Sequence, residues 1–405
     1  MNNRESKLTG FYDVFEEEVE KINHIHNVFV EESEKFGFQQ MKTAMVEHRK
    51  KYLDATDVHY TKIFEVHRVK EESVYALQSD LALSMSRCIA NLPQQIPVKW
   101  IQDGVLFRDR IPTYKGYRRQ FNQILLGAWG IESAYVDAEI IVATWRGLQR
   151  FKGIKVEFIQ LSNKNIFDVL EKDLSKKLRF EDISIEAILG KYLCNNDIEI
   201  IKCLYEKDKI NMELLISLIS KISNKLVKQE FIKVLVLYEY VKNFLPADCI
   251  YFSLSNLYGT GHYSSMNYKI FIRTKSGDIF DIADGGRIDD MVSKFNKVNV
   301  LGVCMGIGTT VLSQEIEYEI EDRIMILVEK IDVKIYKNCL ELANKLSGYH
   351  CSVFEFPYKN KKIKKFFKHE LYSRHHYIIV RLDGSMEYRF SSVALKNKIK
   401  SILDS

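Results

Sequence analysis

The 405-residue chain has little of what would confine it to a special class of protein. Proline is scarce, at 5 positions, and the 19 glycines follow no period, so the chain is neither collagen-like, low-complexity nor disordered. The seven cysteines (Cys88, Cys194, Cys203, Cys249, Cys304, Cys339 and Cys351) are odd in number, scattered, and form no C-x-x-C pair. That excludes a disulfide frame and a zinc site of ordinary spacing, and they read as reduced core thiols, with no metal expected. No run approaches the roughly 20 apolar residues needed to cross a bilayer, and Met1 to Ser6 is polar with no apolar segment behind it. The expectation is a soluble cytoplasmic protein. Charge of one sign is also lacking: 59 basic and 54 acidic residues leave +5, too little to imply nucleic acid by itself. The one dense basic cluster, Lys359 to Lys368 with Phe366 and Phe367 interleaved, reads as a solvated helix face.

What is present is the composition of a globular chain, 46% apolar and 28% charged, of a length that accommodates two to three domains. Apolar residues at three-and-four spacing predict a helix over 12–36, ended by Gly37. Short strand-like runs follow at 39–47, 60–66 and 74–77, then a helix at 82–90. Trp100 to Arg108 and Arg118 to Gly127 read as a hairpin around a loop with Pro112 and Gly116, and Ala138 to Phe151 as a helix. From Asn165 to Leu245 glycine and proline nearly vanish, which predicts a helical insertion with helices such as Asn211 to Leu226 and Glu230 to Phe244. Strands return at 249–254, 268–274 and 279–283, with turns at 275–278 and at Asp284 to Arg287. Gly302 to Gly308 reads as a strand leading into a helix. Beyond residue 322, strands and helices alternate (323–328, 333–346, 349–356, 359–372, 376–382, 394–403), the pattern of a small parallel or mixed α/β domain.

The string Phe107-Arg108, Lys115-Gly116, Arg119-Gln120-Phe121-Asn122-Gln123, Gly130-Ile131 and Asp137-Ala138-Glu139 resembles motif 2 of class II histidyl-tRNA synthetases. Gly10 to Asp13 resembles that family's opening, Phe36-Gly37-Phe38 its motif 1, Asp284 to Asp289 its glycine-rich strand turn, and Gly302 to Leu312 its motif 3. The resemblance implies an α+β fold: a class II antiparallel sheet core over 1–321 with a helical insertion at about 162–246, then an anticodon-binding-like α/β domain over 322–405. It also implies a homodimer, although the motif 1 proline falls on Ala44.

The reaction of such enzymes is in-line attack of a carboxylate on the α-phosphate of ATP, and it depends on cations around the developing charge. Arg108 matches the motif 2 arginine. The motif 3 arginine, however, falls on Thr309, and the arginine of the histidine-specific segment falls on Tyr258. Each such donor is typically worth about 3 to 4 kcal/mol of barrier, so two losses remove roughly 6 to 8 kcal/mol if additive. By the same resemblance the expected ligand-binding set is Asp80, Arg108, Arg119, Gln123, Tyr263 and Arg287, with Asp80 facing the substrate amine and the glutamate four residues after Gln123 replaced by Gly127. For Arg287, bracing of its own turn through Asp289 or Asp290 is an equal reading. His262 reads as packing rather than as a base, and Gly306 and Gly308 lack the lysine of a P-loop.

Two functions are compatible with this. One is a non-aminoacylating, amino-acid-binding regulatory subunit of the kind that partners the ATP phosphoribosyltransferase catalytic subunit in histidine biosynthesis. The other is a divergent amino-acid-activating ligase, using ATP with magnesium and acting on tRNA, whose phosphates the lysine cluster would meet, or on another acceptor.

Overall fold

The protein is described by a computed structural model covering residues 8–55, 62–68, 74–92, 95–110, 118–180, 184–255, 263–319, 323–328, 330, 332–355, 376–381, 383, 385–390 and 392–404. The chain divides into two compact units, Met1–Tyr318 and Glu319–Ser405. Among the described residues no helix is long and apolar enough to cross a membrane, and no group of three or more His, Cys, Asp or Glu side chains is placed to hold a metal ion.

The larger unit is organised by a nine-stranded, mainly antiparallel sheet. Helix α1 (Glu16–Glu34) has three glutamates in its first turn, where the helix dipole favours negative charge, and buries Ile25, Val28 and Phe29. Gly37, at φ +79°, turns the chain into β1 (Gln39–Gln40). A small sheet of β2 (Val46–His48), β3 (Glu65–His67) and β4 (Val74–Leu77) follows, with α2 (Arg49–Ala55) after β2 and α3 (Leu81–Asn91) after β4. The hairpin of β5 (Val98–Phe107) and β6 (Gln120–Trp129) is antiparallel in unbroken register, and α4 (Tyr135–Gln149) packs behind it against α1. Next come β7 (Ile154–Asn163) and a mostly helical insertion: α5 (Asn165–Asp168), α6 (Leu174–Phe180), α7 (Ile185–Leu189), α8 (Asn195–Tyr205), β8 (Ile210–Asn211), α9 (Met212–Ser220) and α10 (Lys225–Val241). The sheet is completed by β9 (Ile250–Phe252), β10 (Met266–Thr274), β11 (Ile279–Arg287) and β12 (Gly302–Ile307), with α11 (Ser293–Asn296) and α12 (Thr309–Glu315) at their ends. Its order is β1-β5-β6-β12-β11-β10-β7-β9-β8.

Three features differ from the sequence reading. Asn211 to Leu226 is not one helix: α9 stops at Ser220 and α10 begins at Lys225, because buried Asp197 accepts from the Ser223 and Asn224 amides at 2.8 Å each and Asn224 caps the Leu226 and Val227 amides. Asp284 to Arg287 is not a turn but the end of β11. A Cβ on Gly285 would lie 2.5 Å from the Cys304 carbonyl oxygen, and one on Gly286 2.5 Å from that of Met266, so glycine here permits close approach of strands. Strand β7 is also absent from the apolar pattern. Its pairing with β10 shifts register at Glu157, between Val156 opposite Ile272 and Phe158 opposite Phe271, and this bulge breaks the period-two alternation.

The C-terminal unit has a four-stranded sheet. β13 (Arg323–Val328) is flanked in parallel by β14 (His350–Glu355) and β15 (His376–Val380), while β16 (Met386–Arg389), a short polar edge strand that the apolar pattern does not mark, is antiparallel to β15. Helices α13 (Val333–Lys345), capped by Asp332, and α14 (Val393–Asp404) cover one face through Cys339, Leu346 and Ile399. The helix expected at 359–372, with its lysine cluster, lies outside the described residues.

Candidate functional site

A cleft of about 500 Å³ opens on the face of the large sheet opposite α4, floored by β6, β11 and β12. The sequence of β6 alternates across it. Ile124, Leu126 and Ala128 enter the core with α1 and α4, which leaves Phe121 and Gln123 for the cleft. Gly306 of β12 is what admits Gln123, since a Cβ there would meet the Gln123 Nε2 at 2.6 Å.

Arg108 stands just past β5 at the cleft's edge. Its Nε donates to the Ser79 carbonyl at 2.7 Å and its Nη2 lies 3.4 Å from Asp80 Oδ2. The guanidinium centres of Arg108 and Arg110 lie 5.6 and 4.3 Å from the centre of the Phe121 ring, so two cations share one aromatic ring. Asp80 is at once the N-cap of α3, its Oδ1 accepting from the Ala82 amide at 2.8 Å and the Leu83 amide at 3.4 Å. Beneath it the Tyr52 hydroxyl accepts from the Ser79 and Asp80 amides, and burial, then the Asp80 charge, pushes that phenol up to about 12. Asp80 is thus held by its own helix and by Arg108.

The remaining expected residues divide. Gln123 lines the cleft. Tyr263 is buried against Gly286, and its phenol is raised by burial and by Asp284 and Cys304, so it stays protonated. The buried Cys304 thiol is raised for the same reason, and is no nucleophile at neutral pH. Arg119 is not among the residues lining the cleft; it pairs with Asp109 at 2.8 Å and donates to the Thr9 carbonyl at 3.1 Å. Arg287 leaves the cleft altogether: it lies on the α4 face of β11 and is buried. It pairs with Asp137 of α4 and donates to the Ile131, Glu132 and Ser133 carbonyls at 2.9 to 3.1 Å. Neither Asp289 nor Asp290 is its partner there; Asp289 instead accepts from Ser264 and from the Gly302 amide.

Thr309 opens α12 in the buried layer, and Thr310 accepts the Asn122 amide at 2.7 Å, so the first turn of α12 presents hydroxyls and no cation. Tyr258, His262 and Lys115 lie outside the described residues. The cleft also exposes Arg110 beside Arg108 and the carboxylates of Asp278, Asp281 and Glu315, which the motif strings do not single out, together with Asp284, which opens the glycine-rich string. Two arginines and four carboxylates therefore line the cleft, with Asp281 already paired to Lys269 at 2.9 Å.

An antiparallel sheet with this helix behind it, this cleft upon it and a separate α/β unit after it defines the class II aminoacyl-tRNA synthetase-like fold. Within that class, the histidyl-tRNA synthetase family profile matches residues 10–309, and the chain belongs to that family. Relatives include the histidine–tRNA ligases of Helicobacter pylori, 25% identical over 96% of this chain and 93% of that one, and of Pyrobaculum neutrophilum, 23% identical over 82% and 81%. Among solved structures, an ATP phosphoribosyltransferase regulatory subunit/histidyl-tRNA synthetase from Bacillus halodurans superposes with a TM-score of 0.74 at 14% identity, covering 94% of this chain and 99% of that one. The histidyl-tRNA synthetase of Nostoc sp. PCC 7120 gives 0.71 at 16% identity, over 99% and 100%.

Proposed function

We propose that the cleft binds a free amino acid and that the chain acts as a non-aminoacylating regulatory member of its family in the cytoplasm, as a homodimer, with an ATP phosphoribosyltransferase catalytic subunit as its partner. The observation that carries this reading is the charge layout: Arg108 and Arg110 on one wall, four carboxylates on the others, and Thr309 and Thr310 at the start of α12. A zwitterion suits such a cleft, its carboxylate toward the arginines and its ammonium toward Asp284. A triphosphate suits it less, because its negative charge would face carboxylates that outnumber the arginines. The likeness to the Bacillus halodurans structure supports the partner, and exposed Tyr12, Phe15, Val19, Met45 and Val46 around α1 and β2 supply apolar surface for twofold pairing.

The test pairs two assays. Amino acids at about 100 times their Kd should stabilise the fold by about 2.7 kcal/mol in a melting screen, while amino-acid-dependent exchange of pyrophosphate into ATP should stay at background. Exchange above background would establish the ligase reading instead, and Arg108→Ala should then abolish it.

A further inference from the structure

The cleft has a closed inner end. Register aligns Leu125, Gly306 and Asp284 as one rung across β6, β12 and β11; the next rung on the same face is Gly127, Cys304 and Gly286, and beyond it Gly302 lies opposite Trp129. The cleft reaches the first of these rungs and stops. Over the second and third lie two aromatic rings. A Cβ on Gly127 would stand 2.5 Å from Cη2 and 2.8 Å from Cζ3 of Trp129, one on Gly302 3.0 Å from Cδ1 and Nε1 of the same indole, and one on Gly286 2.8 Å from Cδ1 of Tyr263. The six-membered ring of Trp129 therefore covers Gly127, its five-membered ring covers Gly302, and Tyr263 covers Gly286. Trp129 is fully buried, and its Nε1–H has no acceptor among the described residues, so the ring is kept there by packing and not by a hydrogen bond.

We infer that Trp129 determines specificity by setting the inner limit of the cleft: its six-membered ring occupies the sheet surface along which a long ligand side chain would lie, and the amino acid accepted is one with a short side chain. The inference rests on the amino-acid reading above. Side-chain length is discriminated by occupied volume, since a well-packed indole cannot yield without repacking Cys304 and Tyr263 beside it.

Isothermal titration of the full chain with glycine, alanine and serine, and in parallel with histidine, phenylalanine and tyrosine, tests this. The wild type should bind the short set at least about tenfold more tightly, the discrimination that a few methylenes of excluded volume supply. Trp129→Leu, which uncovers Gly127, should narrow the ratio at least tenfold by gaining affinity for the long set. Trp129→Phe, which retains an aromatic ring near Trp100 and removes the unpaired N–H, serves if the leucine variant does not fold. A wild type that prefers histidine or an aromatic amino acid overturns the inference without any variant, and leaves the amino-acid reading standing. An unchanged ratio in a folded variant overturns it as well. Failure of every amino acid to bind overturns both.

Discussion

Arg287 offers the sharpest test of how this fold is held together. It and Asp137 are buried at 5% and 0% exposure, and the guanidinium also serves three carbonyls of the segment entering α4. Removing one partner of a buried pair costs about 3 to 5 kcal/mol, because a charge is left without compensation. The orphaned carbonyls keep the figure toward the top of that range. Over the 318 residues of the larger unit, at about 2.1 cal/mol/K per residue, roughly 4.5 kcal/mol becomes a fall of about 6 to 7 °C in Tm. Arg287→Met should show this in calorimetry at pH 7.5. Burial already holds the Asp137 carboxyl up, at about 6, against the pull of Arg287. A carboxyl raised above its unfolded value of about 4 lends stability that is full below about pH 4 and lost as pH rises through its folded value. Without Arg287 the carboxyl rises further, so it is protonated at pH 5 and the loss should be smaller there than at pH 7.5. Arg287→Met with Asp137→Leu should recover at least about 1 kcal/mol over the sum of the single changes, since no charge is stranded. A single variant within about 1 kcal/mol of wild type, or an equal loss at both pH values, would refute the reasoning.

Gly286→Ala should cost more than about 2 kcal/mol, because the new Cβ meets a backbone carbonyl at 2.5 Å, whereas Gly306→Ala meets only the movable amide of Gln123 and should cost far less while weakening amino-acid binding; urea midpoints and titration separate the two. Asp80→Ala should lose about 1 kcal/mol with the cap of α3, and Asp80→Asn, which keeps the acceptor, should restore most of it in the same urea series. Asp197→Ala leaves the part-buried Ser223 and Asn224 amides without their acceptor and should lower stability by about 1 to 2 kcal/mol, with faster hydrogen exchange along α10 as the local signature.

Much of this architecture was legible because it is periodic. The β5–β6 hairpin, α1, α3, α4, and β13, α13, β14, β15 and α14 of the C-terminal unit announce themselves by apolar spacing, and the motif strings around Arg108 and Gln123 lead to the cleft. What was not legible depends on contacts distant in sequence. The break between α9 and α10 is fixed by Asp197, 26 residues before Ser223, and the Asn224 cap is its one local sign. The bulge at Glu157 hides β7 by shifting its alternation midway. Arg110, Asp278, Asp281 and Glu315 carry no motif, and only the fold gathers them around Asp284.

Arg108 and Arg287 show where reasoning from residue type stops and geometry begins. Both are arginines inside family-like strings with an aspartate within two residues, and the resemblance puts both in the ligand-binding set, Arg287 with bracing of its turn as an equal reading. Their fates are set by strand parity. On β11 the even positions 284 and 286 face the cleft, with Asp284 lining it and Gly286 under Tyr263, while Gly285 packs on Tyr268 and Arg287 turns to α4. Taking Asp284 to Arg287 as a turn discards that parity and makes Arg287 a ligand candidate. Once the glycines are recognised as sites of close strand approach, parity runs to the strand's end, and the same four residues assign Asp284 to the cleft and Arg287 to the scaffold.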